Sequence, residues 1–94
     1  MSRTYQVGDR IRIFGYWEFP DGITGSVAIP TRFQLTLANP GEWEGHRRTV
    51  PGRKGPIVFY FIQFDVPTDD GSGDGSYGGA EIEEDCLVPF VPDA

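Results

Sequence analysis

The sequence has little of the chemistry on which most catalytic and metal sites depend. Among its 94 residues there is one cysteine, Cys86, and one histidine, His46. A lone cysteine cannot form an internal disulfide, and one Cys and one His are too few for a structural zinc site. Cys86 also lies beside Leu87 and three acidic residues at 83–85, surroundings that raise a thiol pKa and weaken the nucleophile. We therefore expect no enzymatic activity and a reducing, cytoplasmic compartment.

Basic residues and long apolar runs are scarce as well. Eight Lys and Arg stand against fourteen Asp and Glu, which gives a net charge of −6. Affinity for nucleic acid is built from clustered Lys and Arg that displace counterions, so a nucleic-acid partner is disfavoured. No run approaches the length of a membrane span, and residues 1–7 lack the apolar core of a signal peptide. We expect a soluble protein with no membrane partner.

No stretch of ten residues keeps an uninterrupted helical pattern. Thirteen Gly and eight Pro punctuate the chain every few residues. Two Trp, four Tyr and seven Phe can fill a compact core without disulfides. Because the chain is too short for two such cores, the composition predicts one all-β domain over residues 1–94.

The stretch from Ile57 to Val66 is the centre of the predicted fold. It is rich in β-branched and aromatic residues, which suit a strand. Its second face starts apolar and turns polar at Gln63 and Asp65. This pattern predicts a central strand that is paired on both edges of a small curled barrel. The first face is apolar throughout and comprises Val58, Tyr60, Ile62, Phe64 and Val66.

Shorter patterns predict the rest of the sheet. Ile11 and Ile13 alternate with arginines and predict a first strand over 7–14. A second strand is predicted over 25–29. Alternation resumes over 32–37, either as a continuation of that strand past a proline or as a strand of its own.

Two glycine-rich segments separate these strands from the C-terminal ones. We predict loops over 39–55 and 67–79, because both are rich in turn residues. The acidic residues 83–85 then form a tight turn between two short final strands.

Four motifs together resemble the layout of small bacterial SH3-like barrels. They are Val-Gly-Asp-Arg-Ile-Arg-Ile at 7–13, Asp-Gly-Ile-Thr-Gly-Ser-Val at 21–27, Phe-Asp at 64–65 and Ala-Glu-Ile to Leu-Val-Pro within 80–89. The order is similar in the nitrile hydratase beta chain, the variable chain of ferredoxin–thioredoxin reductase and KOW-type domains. The resemblance implies an SH3-like barrel of about five strands. It assigns no function, because this barrel hosts unrelated roles.

Two sequence features that would carry a function over from other barrel proteins are absent from this chain. No cysteine cluster for a metal centre of the nitrile hydratase type is present, so that activity is not carried over. The Ala-Leu-Tyr-Asp-Tyr signature of eukaryotic peptide-binding SH3 domains is absent too.

The loop at 70–81 matches the spacing of an EF-hand calcium loop. Calcium prefers several hard oxygens around one point, and Gly75 falls at the sharp-turn position. Two features depart from the motif: the loop follows a strand directly, and Tyr77 replaces a smaller aliphatic residue. The alternative is an acidic hairpin loop whose Gly and Asp serve the turn. The predicted calcium ligands are Asp70, Ser72, Asp74, Ser76 and Glu81.

Aromatic residues cluster in the loop at 15–22. Tyr16, Trp17 and Phe19 are the core of this group, and Trp43, Tyr60 and Tyr77 are further candidates. Exposed aromatics at this place could form a shallow groove for an extended or proline-bearing segment of a partner protein. Alternatively they cap the open end of the barrel. Both interpretations stay open for Trp17, whereas a core position is expected for Tyr60.

A basic cluster, with His46 beside it, lies in the predicted 39–55 loop. It could hold an anionic partner surface or the backbone of a nucleic acid. The simpler interpretation is a solvated loop, because exposed ion pairs contribute little. Its members are Arg47, Arg48, Arg53 and Lys54.

Together these features predict a non-catalytic module that docks to a protein partner. The contact residues would be Tyr16, Trp17, Phe19 and Trp43, together with the basic cluster. A calcium-binding loop and a weak nucleic-acid binder are the alternatives. The sequence leaves the oligomeric state open.

Overall fold

A computed structural model describes residues 4–69, 71, 73 and 75–90. No helix in this part of the chain is long and apolar enough to cross a membrane. The dominance of strands confirms the all-β class. The described elements are β1 (Arg10–Ile13), β2 (Thr24–Val27), α1 (Arg32–Leu37), β3 (Trp43–Glu44), β4 (Arg47–Val50), β5 (Ile57–Asp69), β6 (Ser76–Glu83), a 3₁₀ turn (Glu84–Cys86) and β7 (Leu87–Pro89).

All the described strands belong to one antiparallel sheet, organised around β5. The order is β3-β4-β5-β2-β1-β7, and β6 pairs with β5 outside that path. Tyr60 pairs with Arg47 of β4, and Ile62 pairs with Val27 of β2. Because Tyr60 and Ile62 both also pair with β6, the strands β4 and β2 share one edge of β5 and β6 takes the other. The predicted pairing of the central strand on both edges is confirmed for residues 59–63, whereas the registers of the described strands do not include Asp65 or Val66.

The sheet curls into a half-barrel around one hydrophobic core, a general shape compatible with an SH3-like barrel. The inward direction predicted for Ile11 and Ile13 is confirmed, since neither has exposed surface. Tyr60 is also completely buried, as expected for a central aromatic residue. The buried core comprises Tyr5, Ile11, Ile13, Phe19, Val27, Tyr60, Ile62, Phe64, Ile82 and Leu87.

A small polar network crosses this core. The Tyr60 hydroxyl accepts a hydrogen bond from the main-chain N–H of Tyr5 (3.2 Å) and donates one to Oε2 of Glu84 (3.2 Å). Burial raises the pKa of Tyr60, so the hydroxyl keeps its proton. His46 Nε2 lies 2.7 Å from the main-chain oxygen of Tyr5 and must donate, because a carbonyl only accepts. The network therefore joins the N-terminal segment, β5 and the 3₁₀ turn.

The segment 32–37 is a helix, and its prediction as a strand is wrong. Thr31 is the N-cap, and its Oγ1 accepts a hydrogen bond from the Gln34 N–H at 3.2 Å. No residue of α1 is buried, and Phe33 and Leu37 are 65% and 61% exposed. The edge of β5 that pairs with β2 pairs next with β4. A strand at 32–37 would therefore find no free part of that edge beside β2.

The segment 39–55 contains a hairpin and is not a continuous loop as predicted. Strands β3 and β4 are joined by the two residues Gly45 and His46, and Glu44 pairs with Arg47. Gly45 has a φ of +63°, and His46 has a negative φ. A glycine with positive φ at the first position is characteristic of a tight two-residue hairpin turn. This hairpin explains why the described sheet has seven strands, whereas about five were predicted.

The loop predicted at 67–79 is shorter than expected. Strand β5 continues to Asp69 and β6 begins at Ser76. The pairing of these two strands shifts register between Gln63 and Thr68. The shift interrupts the period of two, and Val66, predicted on the apolar face, is 70% exposed.

Candidate functional site

The site with the clearest potential for binding is an open groove of about 440 Å³, here called the β6 groove. It lies where the loop at 14–23, helix α1 and the outward surface of β4, β5 and β6 meet. Its volume falls within the range of small-ligand pockets. The lining residues are Tyr16, Glu18, Phe19, Gln34, Leu37, Arg48, Phe59, Tyr77, Gly79, Ala80 and Glu81.

The three predicted aromatic residues of the loop lie at different depths. Phe19 is 5% exposed and meets the ring of Phe64 edge-on, with centroids 5.1 Å apart. Tyr16 stacks on Phe19, with centroids 6.4 Å apart and planes 13° apart. Trp17 is 85% exposed, with its ring centroid 6.2 Å from that of Tyr16. Phe19 thus belongs to the core, whereas Trp17 presents its ring to solvent beside the β6 groove.

Hydrogen bonds at its base hold this loop in place. The Gly15 N–H donates to Oδ1 of Asp21 at 2.8 Å. The Gly22 N–H donates to the main-chain oxygen of Ile13 at 2.7 Å. Gly22 has a φ of +92°, which other residues rarely adopt, so the Pro-Asp-Gly turn closes the loop as its sequence predicts. The aromatic side chains are thereby fixed at the tip.

An ion-pair network forms another part of the groove. Arg48 donates from Nη1 to Oε1 of Glu81 (2.6 Å) and from Nη2 to Oε1 of Glu42 (2.7 Å). The three side chains are 21%, 15% and 12% exposed, respectively. The bonds from Arg48 hold the pKa of Glu42 below its usual value. Two carboxylates around one guanidinium leave this network negative, so Arg48 has no free charge for an anionic partner.

Gly79 gives the groove a floor without a side chain. A Cβ built on Gly79 would lie 2.6 Å from the main-chain oxygen of Ile62 and 3.1 Å from Cζ of Phe61. The space that a side chain at position 79 would need is therefore occupied by the Ile62 main chain and the Phe61 ring. This close approach explains the glycine and leaves the β6 main chain bare beside the groove.

Acidic groups surround the tyrosine at the groove. The Tyr16 hydroxyl donates to Oε1 of Glu18 at 3.4 Å. Burial, with smaller contributions from Glu18 and then Glu83, raises the pKa of Tyr16 to about 12. The Tyr16 hydroxyl is thus a neutral donor at neutral pH, in a negative field.

The structure does not bring the predicted basic cluster together. Arg47 and Arg48 are consecutive in β4, so their side chains leave opposite faces of the sheet. Arg53 and Lys54 are exposed in the turn between β4 and β5. Arg48 is the one member of the cluster that lines the β6 groove. Nucleic-acid binding through this cluster stays a prediction.

Three of the predicted calcium ligands, Asp70, Ser72 and Asp74, lie outside the described residues. The other two, Ser76 and Glu81, lie five residues apart on extended β6, which corresponds to roughly 16 Å. Glu81 is also bonded to Arg48. Within the described ranges, no group of three or more His, Cys, Asp or Glu side chains could hold a metal ion. Calcium binding stays a prediction.

Trp43 lies apart from the other predicted contact residues. It is half-buried in β3, pairs with Arg48 and does not line the β6 groove. The contributions of Gln34 and Leu37 were not foreseen, because their segment was predicted as a strand. The sequence signal for them is Thr31 after Pro30, a helix N-cap preceded by a residue that stops the strand.

His46 and Cys86 are the two potentially reactive side chains identified from the sequence, and the structure gives the surroundings of each. His46 is bonded to the Tyr5 carbonyl. Burial, followed by the charges of Glu83 and Asp85, raises the pKa of the Cys86 thiol, in the direction expected from its neighbours. The absence of catalysis stays a prediction.

Comparison with known proteins assigns the chain to no family. No protein-family model matches it, and no curated protein or solved structure matches it either. The chain is compatible with an SH3-like barrel in its general shape, a small half-barrel of antiparallel strands.

Proposed function

We propose that this protein is a non-catalytic accessory module that docks to a partner protein through the β6 groove and the adjoining Trp17. The observation that carries the proposal is the concentration of large exposed apolar side chains at this place. Trp17 is 85% exposed, Leu37 61% and Tyr77 39%. Aromatic side chains beside a groove give large contact area at low entropic cost, and they dominate the energetics of protein interfaces.

The arrangement of the loop supports docking over the alternative that the aromatics only cap the barrel. Phe19 and Tyr16 already cover that end of the core. Trp17 buries little surface in the fold, and the hydrogen-bonded base of the loop holds it in solvent. A large ring held in this position is explained by contact with another molecule.

Docking of a partner at the β6 groove also accounts for the exposed apolar side chains of helix α1. Its apolar side chains stay largely exposed within the described residues, and Leu37 lies on the wall of the β6 groove. A partner seated in the groove would cover Leu37 and Trp17 together. The proposed surface thus combines the aromatic loop with a helix that follows β2.

Selection from a random peptide library displayed on phage tests this function. The wild-type protein serves as bait, and the double variant Trp17→Ala/Leu37→Ala serves for counter-selection. We expect enriched peptides whose affinity falls at least about tenfold in each single variant, because hot-spot truncation typically has such effects. Both variants should unfold within about 0.5 kcal/mol of the wild type, since both side chains are exposed.

Val66→Ala is the matched control, because the exposure of Val66 lies between those of Leu37 and Trp17 but Val66 is outside the groove. It should leave peptide affinity unchanged. Enrichment of no peptide, or of peptides that bind the double variant as well as the wild type, would overturn the proposal.

A further inference from the structure

Strand β6 has a free edge whose exposed main-chain groups can be identified. In the described part of the chain, β6 is paired with β5 alone. The Ala28 N–H donates to the Phe61 oxygen at 2.9 Å, so the main-chain groups of Phe61 point towards β2 and away from β6. Antiparallel residues alternate between bonded and non-bonded pairs. Glu81, which faces Phe61, therefore directs its N–H and C=O outward, and so does Gly79.

These outward groups border the β6 groove, which both Gly79 and Glu81 line. No hydrogen bond within the described residues reaches the main chain at this edge. An unpaired row of N–H and C=O groups is a template for an added strand. Because Gly79 has no side chain, an extended segment can approach the main chain closely there.

The charges around the groove define what kind of segment fits. Glu18 and Glu81 line it, and Glu42 is joined to Glu81 through Arg48. Glu83 follows at the end of β6. These carboxylates outnumber the single cation Arg48, so a segment carrying Lys or Arg is complementary.

A second copy of the chain fits this edge poorly. An antiparallel β6–β6 pair would bring the Glu81 and Glu83 side chains of both copies onto one face of a shared sheet. Like charges that face each other across strands are destabilising.

We propose that an extended, Lys- or Arg-bearing segment of a partner protein adds to β6 as a new strand. Its main chain bonds to the outward groups of Gly79 and Glu81. Its cation lies between the Trp17 ring and the Glu18 carboxylate, where the aromatic face and the negative charge both stabilise it. In strand addition the main chain supplies affinity and the side chains supply specificity. This inference rests on the docking function proposed above.

Two sets of synthetic ten-residue peptides test it. In one set apolar residues alternate with Lys or Arg, and in the other they alternate with Glu. We expect binding from the basic set, with amide hydrogen exchange of Gly79 and Glu81 slowed in the complex. N-methylation of the bound peptide at every second residue should weaken binding by about tenfold per position, because each methyl group removes one main-chain hydrogen bond. N-methylation at the intervening residues should have little effect.

Charge variants test the position of the cation. Glu18→Gln should weaken binding of the basic peptide by about fivefold at low salt, and the loss should shrink as salt is added. The control is Glu44→Gln, which removes an equal charge from an exposed residue of β3 outside the groove. It should leave the affinity within about twofold.

The outcomes separate this inference from the docking function. Binding that needs Trp17 and Leu37 but accepts acidic peptides equally, or tolerates every N-methyl group, overturns strand addition and leaves the docking function standing. Binding of basic peptides that survives Trp17→Ala and Leu37→Ala overturns the docking function at this groove. Failure of both sets to bind overturns strand addition. So does concentration-dependent dimerisation that Trp17→Ala abolishes, because the occupant is then a second copy.

Discussion

Arg10 and Asp65 form a two-pronged ion pair that connects β1 to β5 across β2. Arg10 Nη1 donates to Oδ1 of Asp65 at 2.7 Å, and Nη2 donates to Oδ2. Thr24 and Ser26 of β2 complete the cluster: Oγ1 of Thr24 donates to Oδ2 of Asp65 at 2.7 Å, and Oγ of Ser26 accepts from Nη1 of Arg10 at 2.9 Å. Three of the sequence motifs, those at 7–13, 21–27 and 64–65, therefore meet at this point, which explains why an aspartate follows the apolar part of β5.

Replacement of Asp65 by Asn should weaken the fold at neutral pH and lose its effect in acid. Hydrogen bonds from Arg10 and then from Thr24 lower the pKa of Asp65 to about 2, against an ordinary value of 3.8. The ionised form therefore stabilises the fold above pH 4, and this contribution disappears as the pH falls towards 2. We expect Asp65→Asn to have a lower urea midpoint than the wild type at pH 7, and the two midpoints to converge between pH 4 and 2.

Asp85→Asn is the control for general charge effects, because Asp85 is exposed in the 3₁₀ turn. Its urea midpoint should stay close to that of the wild type. A difference for Asp65→Asn that is the same at pH 7 and pH 2 would contradict the assigned role of the ion pair.

Removal of the Tyr60 hydroxyl should destabilise the protein through the groups that it leaves behind. In Tyr60→Phe the main-chain N–H of Tyr5 and the carboxyl of Glu84 each lose a partner in the core. A buried carboxyl such as that of Glu84, once it loses its hydrogen-bond donor, costs about 1–3 kcal/mol. The free energy of unfolding from urea titration should fall by at least about 1 kcal/mol. Tyr77→Phe, at an exposed ring, should change it by less than about 0.5 kcal/mol.

Two adjacent glycines should respond differently to the same substitution. At Gly79 a Cβ would collide with the Ile62 main chain and the Phe61 ring, whereas at Gly78 nothing lies within 4 Å. We expect Gly79→Ala to cost about 1–3 kcal/mol in unfolding free energy, as overpacking typically does. Gly78→Ala should stay within about 0.5 kcal/mol of the wild type. Equal losses at both positions would show that the backbone entropy of glycine, and not the close approach, decides the effect.

Helix α1 should melt separately from the rest of the protein. Thr31→Ala removes the side-chain cap on the Gln34 N–H, which is worth about 1 kcal/mol to a helix. Because no residue of α1 is fully buried, the barrel loses little packing when the helix frays. The Cα chemical shifts of residues 32–37 should move towards random-coil values while the urea midpoint is unchanged. A fall in the midpoint would mean that α1 contributes to the core.

The sequence predicted the centre of the fold better than its periphery, for a physical reason. In β5 the residues from Ile57 to Ile62 are apolar on both faces, so the hydrophobic pattern alone identifies a strand covered on both sides. The hairpin of β3 and β4 carries no such pattern. It is specified by the positive φ of Gly45 and by pairing with β5, which is a tertiary effect. At α1 a local N-cap outweighed a short apolar alternation.

The candidate site was predicted in part. The aromatic loop was located because Tyr16, Trp17 and Phe19 are unusually close in sequence, but only the structure separates the buried ring from the exposed one. Leu37 could not be placed beside them, since the distance between the two segments depends on the curl of the sheet. The partners of Arg48 were also beyond the sequence, because Glu81 lies on the other side of β5.

The anchoring of Phe19 in the core has a consequence for the proposed docking of a partner. Only one residue separates this buried ring from Trp17, so the loop cannot swing away from the sheet without exposing core surface. The wall of the groove is therefore rigid before any encounter. Association then costs little conformational entropy on this side of the interface, and most of the conformational entropy is lost by the partner segment. Complex formation at Trp17 should proceed at an ordinary association rate, without a preceding rearrangement of this protein.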